Sequence, residues 1–194
     1  MSPVSLDRHF YERNTQVVAF ELIGKVLVFK ENGTKISGKI VETEAYFGAK
    51  DPASHAYRGM TPRNRVMFGA PGVSYVYFTY GNHHCLNVVT EKEGTAGAVL
   101  IRALEPMEGI ELMKKRRGKA NEEQLTNGPG KLTQAFGITR EHSGINLTSG
   151  SFYIGETGDQ EFLSIQTAKR IGISRAKDEL LRFYLSTSDH VSVR

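Results

Sequence analysis

Residues 40–47 read IVETEAYF, and an extended backbone there would set two carboxylates and a phenol on one side of the chain. Side chains alternate along a strand, so Ile40, Glu42, Glu44 and Tyr46 point one way and Val41, Thr43, Ala45 and Phe47 the other. A solvated face would account for the glutamates, but Ile40 and Tyr46 on the same side argue for partial burial. A partly buried carboxylate holds its proton more tightly than a free one, which suits a general base. Glutamates two apart on a strand lie roughly 6.5 to 7 Å from each other, near the lower end of the spacing at which inverting glycosidases activate water. Glycoside-type hydrolysis is therefore open to this face, although two carboxylates alone do not select the reaction.

A second unusual stretch is YVYFTYGNHH, residues 75–84. As a strand and turn it places Tyr75 and Tyr77 on one face and Phe78 and Tyr80 on the other, with Tyr80 just before the turn. An aromatic ring at an exposed tip either folds back over its sheet or serves as a platform for something else. Proteins that handle nucleic acids use such rings to stack on bases or wedge between them. Arg63 and Arg65, in TPRNR, are candidate phosphate clamps, with ordinary surface arginines as the alternative. Carboxylate face, aromatic tip and arginines together suit an enzyme that draws a base out of the stack and acts on it.

Other chemistries lack their signatures. GPGKL, residues 128–132, has neither the upstream glycine spacing nor the Ser or Thr of a phosphate-cradling loop, and no GxGxxG follows a strand. His83 and His84 are adjacent, so on a strand they face opposite ways, and no HExxH spacing exists. Cys85 is the only cysteine, which excludes an internal disulfide and a cysteine-rich zinc site. The spacing therefore offers no metal site. Lys131 could attack as an amine and cleave a strand through a Schiff base, but it sits at an expected helix start with nothing evident to lower its pKa, so water ranks ahead of it.

The elements that must position these residues follow from periodicity and turn chemistry. LDRHFYER and TQVVAFELIGK read as helices, the second with Thr15 as N-cap, Gly24 as terminator and an apolar stripe of Val17, Val18, Phe20 and Leu22. KVLVFK and KISGKIVETEAYF flank Asn32-Gly33, the pair that closes a tight hairpin. Residues 48–72 are loop, with a short helical possibility after Thr61-Pro62. VSYVYFTY and HHCLNVVT form a second hairpin about Gly81-Asn82, and AGAVLIRALEP forms a strand that Pro106 ends by starting the helix PMEGIELMKKRR. In that helix the cluster Lys114 to Arg117 reads as a solvated, dipole-matched end or as a phosphate-binding patch. NEEQL and GPGKLTQAFGI suggest short helices; SFYIG, LSIQTAKRIGI and LLRFYLS suggest final strands. The expected fold is α+β: one mixed domain over residues 1–194, a curved antiparallel β-sheet flanked by helices.

Composition is compatible with this. A chain of 194 residues supports one sizeable core, and 39% hydrophobic with 24% charged residues is the balance of an ordinary water-soluble globule. No apolar run approaches the roughly 20 residues of a membrane helix, and MSPVSLDRHFYERN carries no export signal. A cytoplasmic protein without a membrane partner is expected. The net charge of +4 and a pI near 9.1 are compatible with a phosphate-bearing partner.

IVETEAY, TPRNRVMF, PGVSYVYFTYG, LIRALEP, NGPGKLTQAFGI and LLRFYLS, in this order, resemble the alkyladenine (3-methyladenine) DNA glycosylase family, methylpurine type. The likeness runs from about Leu6 to the C-terminus. It implies a monofunctional glycosylase of base excision repair that flips a damaged purine, such as 3-methyladenine or hypoxanthine, from duplex DNA and hydrolyses its bond to deoxyribose. It also implies a fold related to the C-terminal domain of formyltransferases, no cofactor, a monomer, and association with the nucleoid through DNA. By position, Glu44 matches the catalytic base, with Glu42 in support, and Arg102 the arginine beside the attacking water. Tyr46, His55 and Tyr77 match the residues that cradle the extruded base, Asn87 the asparagine that excludes normal guanine, and Leu100 a pocket wall. Tyr80 matches the side chain that takes the lost nucleotide's place, while His83-His84 stand where the family has aromatics.

Overall fold

The computed structural model describes residues 3–79, 81–118, 121–158 and 162–193. Tyr80, the expected hairpin-tip aromatic, lies outside the described residues. Among those described, nine strands form one antiparallel sheet: β1 (Val4–Ser5), β2 (Val26–Glu31), β3 (Thr34–Phe47), β4 (Ser74–Thr79), β5 (His83–Val89), β6 (Gly97–Glu108), β7 (Phe152–Glu156), β8 (Ile165–Ala168) and β9 (Arg182–Leu185). The order is β1-β7-β2-β3-β6-β5-β4, with β9 beside the second half of β3 and β8 outside β9. Four α-helices among the described residues accompany the sheet: α1 (Arg8–Tyr11), α2 (Thr15–Glu21), α3 (Ile110–Arg117) and α4 (Pro129–Phe136). The architecture is α+β, as expected.

β3 is the spine of the molecule. It follows β2 through Asn32 and Gly33, whose φ angles of 48° and 77° are those the tight turn requires. Its first half pairs with β2 and its second with β9, while β6 runs along the opposite edge. A bulge between Ile40 and Thr43 divides the halves and shifts the alternation. For that reason Ile40 joins Val41 in the main core and does not share the glutamate face that simple alternation assigned to it. Beyond the bulge the alternation holds. Val41 and Ala45 enter the core with Val18 and Ala19 of α2 and with Leu22 just beyond it, and the Thr43 hydroxyl donates to the Ala19 carbonyl at 2.7 Å. Glu42, Glu44 and Tyr46 take the other face.

Local expectations are corrected at four places. Asn14, not Thr15, caps α2: its side chain accepts from the N–H groups of Gln16 and Val17. Thr15 instead bonds Thr90 and Glu91 across the fold. Of the apolar stripe only Val18 and Leu22 are buried; Val17 and Phe20 are exposed, because Ala19 faces the sheet. β6 does not stop at Pro106, which lies opposite Gly38 at a register shift where a missing N–H is tolerated; α3 begins only after Gly109, at φ 78°. The β4–β5 turn spans three residues rather than two, since Thr79 pairs with His83.

The basic end of α3 has a structural use. Lys114 bridges Glu111 and Glu122; Arg116 bonds Glu31 and the carbonyls of Ala135 and Phe136 at the end of α4; Arg117 bonds Gln134. These contacts tie α3 to α4 and to β2 and engage Lys114, Arg116 and Arg117 within the fold, while Lys115 is exposed.

Gly97, at the start of β6, marks a close approach. A Cβ there would stand 2.5 Å from Thr15 Oγ1 and 2.8 Å from Thr90 Oγ1. Gly97→Ala is expected to destabilise the protein by about 1–3 kcal/mol, the usual range for overpacking. An unchanged midpoint in thermal denaturation would show that the start of α2 gives way freely.

Candidate active site

Strand pairing sets the site out in rows. Arg182 of β9, Glu44 of β3, Leu100 of β6, Asn87 of β5 and Tyr75 of β4 are successive cross-strand partners in one lateral row. Tyr46 faces Ala98, and Tyr77 faces Cys85. Directly opposed residues project from the same side of a sheet, so these side chains share a face, turned away from α2. Over it lies a cavity of about 730 Å³ with Tyr46, Tyr75, Tyr77, Asn87, Leu100 and Arg102 among its lining. Loop residues 52–55 and the segment 171–175 complete its walls.

Glu44 is completely buried. Its Oε1 accepts the Ile171 N–H at 2.7 Å; its Oε2 accepts the Tyr46 hydroxyl at 2.7 Å and Arg102 Nη1 at 3.3 Å. All three donor residues line the cavity, which puts the carboxylate immediately behind the wall. Burial raises its pKa above the ordinary glutamate value, against the pull of Arg102, the Ile171 N–H and the Tyr46 hydroxyl, with Glu42 adding to the rise. Such a group can exist as an anion and still be a willing proton acceptor. Burial first, and Glu44 second, push the Tyr46 phenol far up, so it remains a donor to the carboxylate.

Glu42, equally buried, is held from the other side. Its Oε1 lies 2.8 Å from Arg182 Nη1 and 3.4 Å from Arg102 Nε, and its Oε2 accepts the Ser192 N–H at 2.7 Å. Arg102 therefore stands between two carboxylates. Burial opposes its charge, but Glu44 and Glu42 outweigh that and hold its pKa up. Glu42 does not line the cavity; its work is to hold Arg102 and the C-terminal segment.

Aromatic rings form the outer part. His55 sits on the loop with its ring edge-on to Tyr77, centroids 4.5 Å apart, and its Nδ1 3.0 Å from the Tyr75 hydroxyl. Desolvation of that inner edge, then the charge of Arg63, lowers its pKa, so the imidazole is neutral at pH 7. The His55 carbonyl accepts Asn64 Nδ2 at 2.8 Å, which fixes the loop. Arg63 lies over Tyr77, its guanidinium carbon 5.6 Å from the ring centroid. Arg65 is exposed on the 3₁₀ turn Arg65–Phe68 and does not line the cavity. Asn87 is buried, with Nδ2 donating to the Tyr75 carbonyl at 3.0 Å.

The fold thus gathers Glu44, Arg102, Tyr46, His55, Tyr77, Asn87 and Leu100 at one cavity, with Arg63 over one of its rings and Arg65 outside. Lys131 is exposed, bonds Asn127 at 2.7 Å and is absent from the cavity wall. Sequence reasoning set Tyr75 on the same face as Tyr77 but gave it no role, and it passed over Asp51, Cys85, Arg170, Ile171 and Arg182 as site residues. Cys85 could have been found from its place opposite Tyr77 in the hairpin. Ile171 had no local signal, because what matters is its backbone N–H, delivered to a carboxylate 127 positions away.

A fully buried carboxylate, held by three donors, thus lies beneath a cavity lined with aromatic rings. The chain belongs to the methylpurine-DNA glycosylase family, whose model matches residues 9–189. Its relatives include a protein of Desulfitobacterium hafniense, provisionally named a 3-methyladenine DNA glycosylase, 51% identical over 201 residues that cover 97% of this chain and 98% of the relative. A protein of the same provisional name from Prosthecochloris aestuarii is 54% identical over 186 residues, 95% of this chain and 89% of the relative. One from Methanoculleus marisnigri is 49% identical over 194 residues, 98% and 100% of the two chains.

Proposed function

We propose that this protein is a monofunctional DNA glycosylase that flips damaged purines, among them 3-methyladenine and hypoxanthine, out of duplex DNA and hydrolyses the N-glycosidic bond. The observation that carries the reading is the placement of Glu44, buried with three donors directly behind the wall of an aromatic cavity. Glu44 takes a proton from a water molecule, the water oxygen bonds to the anomeric carbon, and the carbon–nitrogen bond breaks with its electron pair going to the purine. A cationic alkylated purine leaves as a neutral base, so no strong acid is needed; hypoxanthine, which is neutral in the duplex, must take up a proton as it leaves. Arg102 favours the anionic form of Glu44 and orients it toward the water. The same anion stabilises positive charge that develops on the sugar.

Tyr46, His55 and Tyr77 supply the faces and edges that hold a purine. A neutral His55 suits this, since a cationic ring would repel a cationic lesion. Asn87 and Leu100 close the inner side, where an exocyclic amine on normal guanine would collide with Asn87. Arg63 and Arg65 hold flanking phosphates, and Tyr80 fills the gap left in the duplex. Unstacking a damaged or mispaired base costs less than unstacking a normal one, so extrusion itself contributes selectivity.

The test is incubation of the purified protein with duplexes that carry single lesions, followed by alkali and a gel. Strand scission only after alkali supports the reading. Scission without alkali would indicate an amine nucleophile, and salt-sensitive binding without scission would mark a non-catalytic binding module. On a cationic lesion the rate should rise with pH as Glu44 loses its proton and then level off. Because burial raises that pKa, the acid limb should lie above the pH at which a free glutamate titrates. A limb at or below the free-glutamate value would contradict a buried base.

A further inference from the structure

A second buried ion pair lies next to the site. The Arg170 side chain is fully buried; its Nη1 is 2.6 Å from Asp51 Oδ2 and its Nη2 2.9 Å from Oδ1, and Nη1 also donates to the Ala45 carbonyl at 2.9 Å. Its guanidinium carbon is 4.8 Å from the centroid of the Tyr46 ring. Asp51 in turn accepts the N–H groups of Phe47 at 3.1 Å and Ala53 at 3.0 Å. The residue after Arg170 is Ile171, whose N–H meets Glu44. One guanidinium is thereby fastened to the end of β3, to the loop leading to His55 and to the segment that carries Ile171.

We propose that Arg170, held by Asp51, is a positioning residue for Glu44: it sets the Tyr46 ring and the Ile171 N–H so that both donate to the carboxylate. The inference rests on the glycosylase reading. Glu44 faces Glu42 and Tyr46 on its own strand, Arg102 on β6, Tyr77 on β4, Cys85 on β5 and the Ile171 N–H from the loop. Arg102 is anchored independently by Glu42, and Arg182 is engaged with Glu42. Of Glu44's donors, only Tyr46 and Ile171 depend on Arg170, and they are its two uncharged ones. Hydrogen bonds to the anion favour the anion, so loosening both lets the carboxylate take its proton at higher pH. Lysine cannot replace the arginine, because an ammonium lacks the planar fork that spans Asp51 and the Ala45 carbonyl while its carbon lies over the Tyr46 ring.

The experiment measures single-turnover base release from a duplex with one N7-methylated purine, across pH, for the unaltered protein, Arg170→Lys and Asp51→Asn, with melting curves and duplex affinity alongside. The acid limb is expected to move up by about half to one pH unit in both variants, with release about three- to tenfold slower on that limb, near wild type on the alkaline plateau, and duplex affinity within about threefold. An unmoved limb in a variant that melts cooperatively overturns the inference. So does loss of cooperative melting in both variants, since the pair would then be a determinant of the fold. If the unaltered protein released no base, the glycosylase reading itself would fall; release by the unaltered protein with unmoved limbs would remove only the positioning role.

Discussion

Glu44→Gln is expected to lower base release from a lesion duplex by roughly 10²–10⁴-fold, the range that general-base catalysis supplies, while the protein still binds that duplex. Glutamine preserves the volume of a site with no exposure, and Arg102 keeps Glu42 as a partner, so the fold is retained. What is lost is the acceptor for the water's proton. The amide must also turn an NH₂ toward a donor, either the Ile171 N–H or the Tyr46 and Arg102 pair. Single-turnover assays and a binding titration on the same duplex separate the two effects. Release at the wild-type rate would remove Glu44 from the chemistry.

Arg182→Ala is expected to destabilise the protein by about 3–5 kcal/mol, the usual consequence of stranding one member of a buried ion pair. Glu42 has no exposure and would keep, among the described residues, the Ser192 N–H at 2.7 Å and the more distant Arg102 Nε at 3.4 Å. Arg182 also holds the Val193 carbonyl at 2.7 Å and lies 4.8 Å from the Tyr184 ring centroid, so the C-terminal segment loosens as well. For a chain of this size each kcal/mol is worth about 2–4 °C, and a drop on the order of 10 °C in melting temperature follows. Base release should also fall, because an unpaired Glu42 draws Arg102 away from Glu44. A melting temperature within about 2 °C of wild type would show that Glu42 finds other compensation.

Local chemistry made much of the fold legible. The Asn32-Gly33 turn, the two hairpins and the α4 segment follow from turn residues and periodicity that act within a few positions. The misreadings arose where tertiary contacts override local preference. Thr15 is a good cap by type, yet its hydroxyl is drawn to Thr90 and Glu91, and Asn14 takes the role. Pro106 is a good helix starter by type, yet β3 offers it a register shift at Gly38 that lets the strand continue.

At the site the division is similar. Alternation alone put Glu42, Glu44 and Tyr46 on one face, and the ordered motifs named the residues to set beside them. The bulge that removed Ile40 from that face depends on β6 and could not be read from β3. Nor could the electrostatics. Whether a glutamate is a solvated surface charge or a buried base is decided by what packs over it: here an N–H from Ile171, a guanidinium from Arg102 and a wall clamped by Arg170 and Asp51. A strand's periodicity is a property of its own backbone and is written locally. Burial and pKa are properties of neighbours far along the chain, and only the closed sheet brings them together.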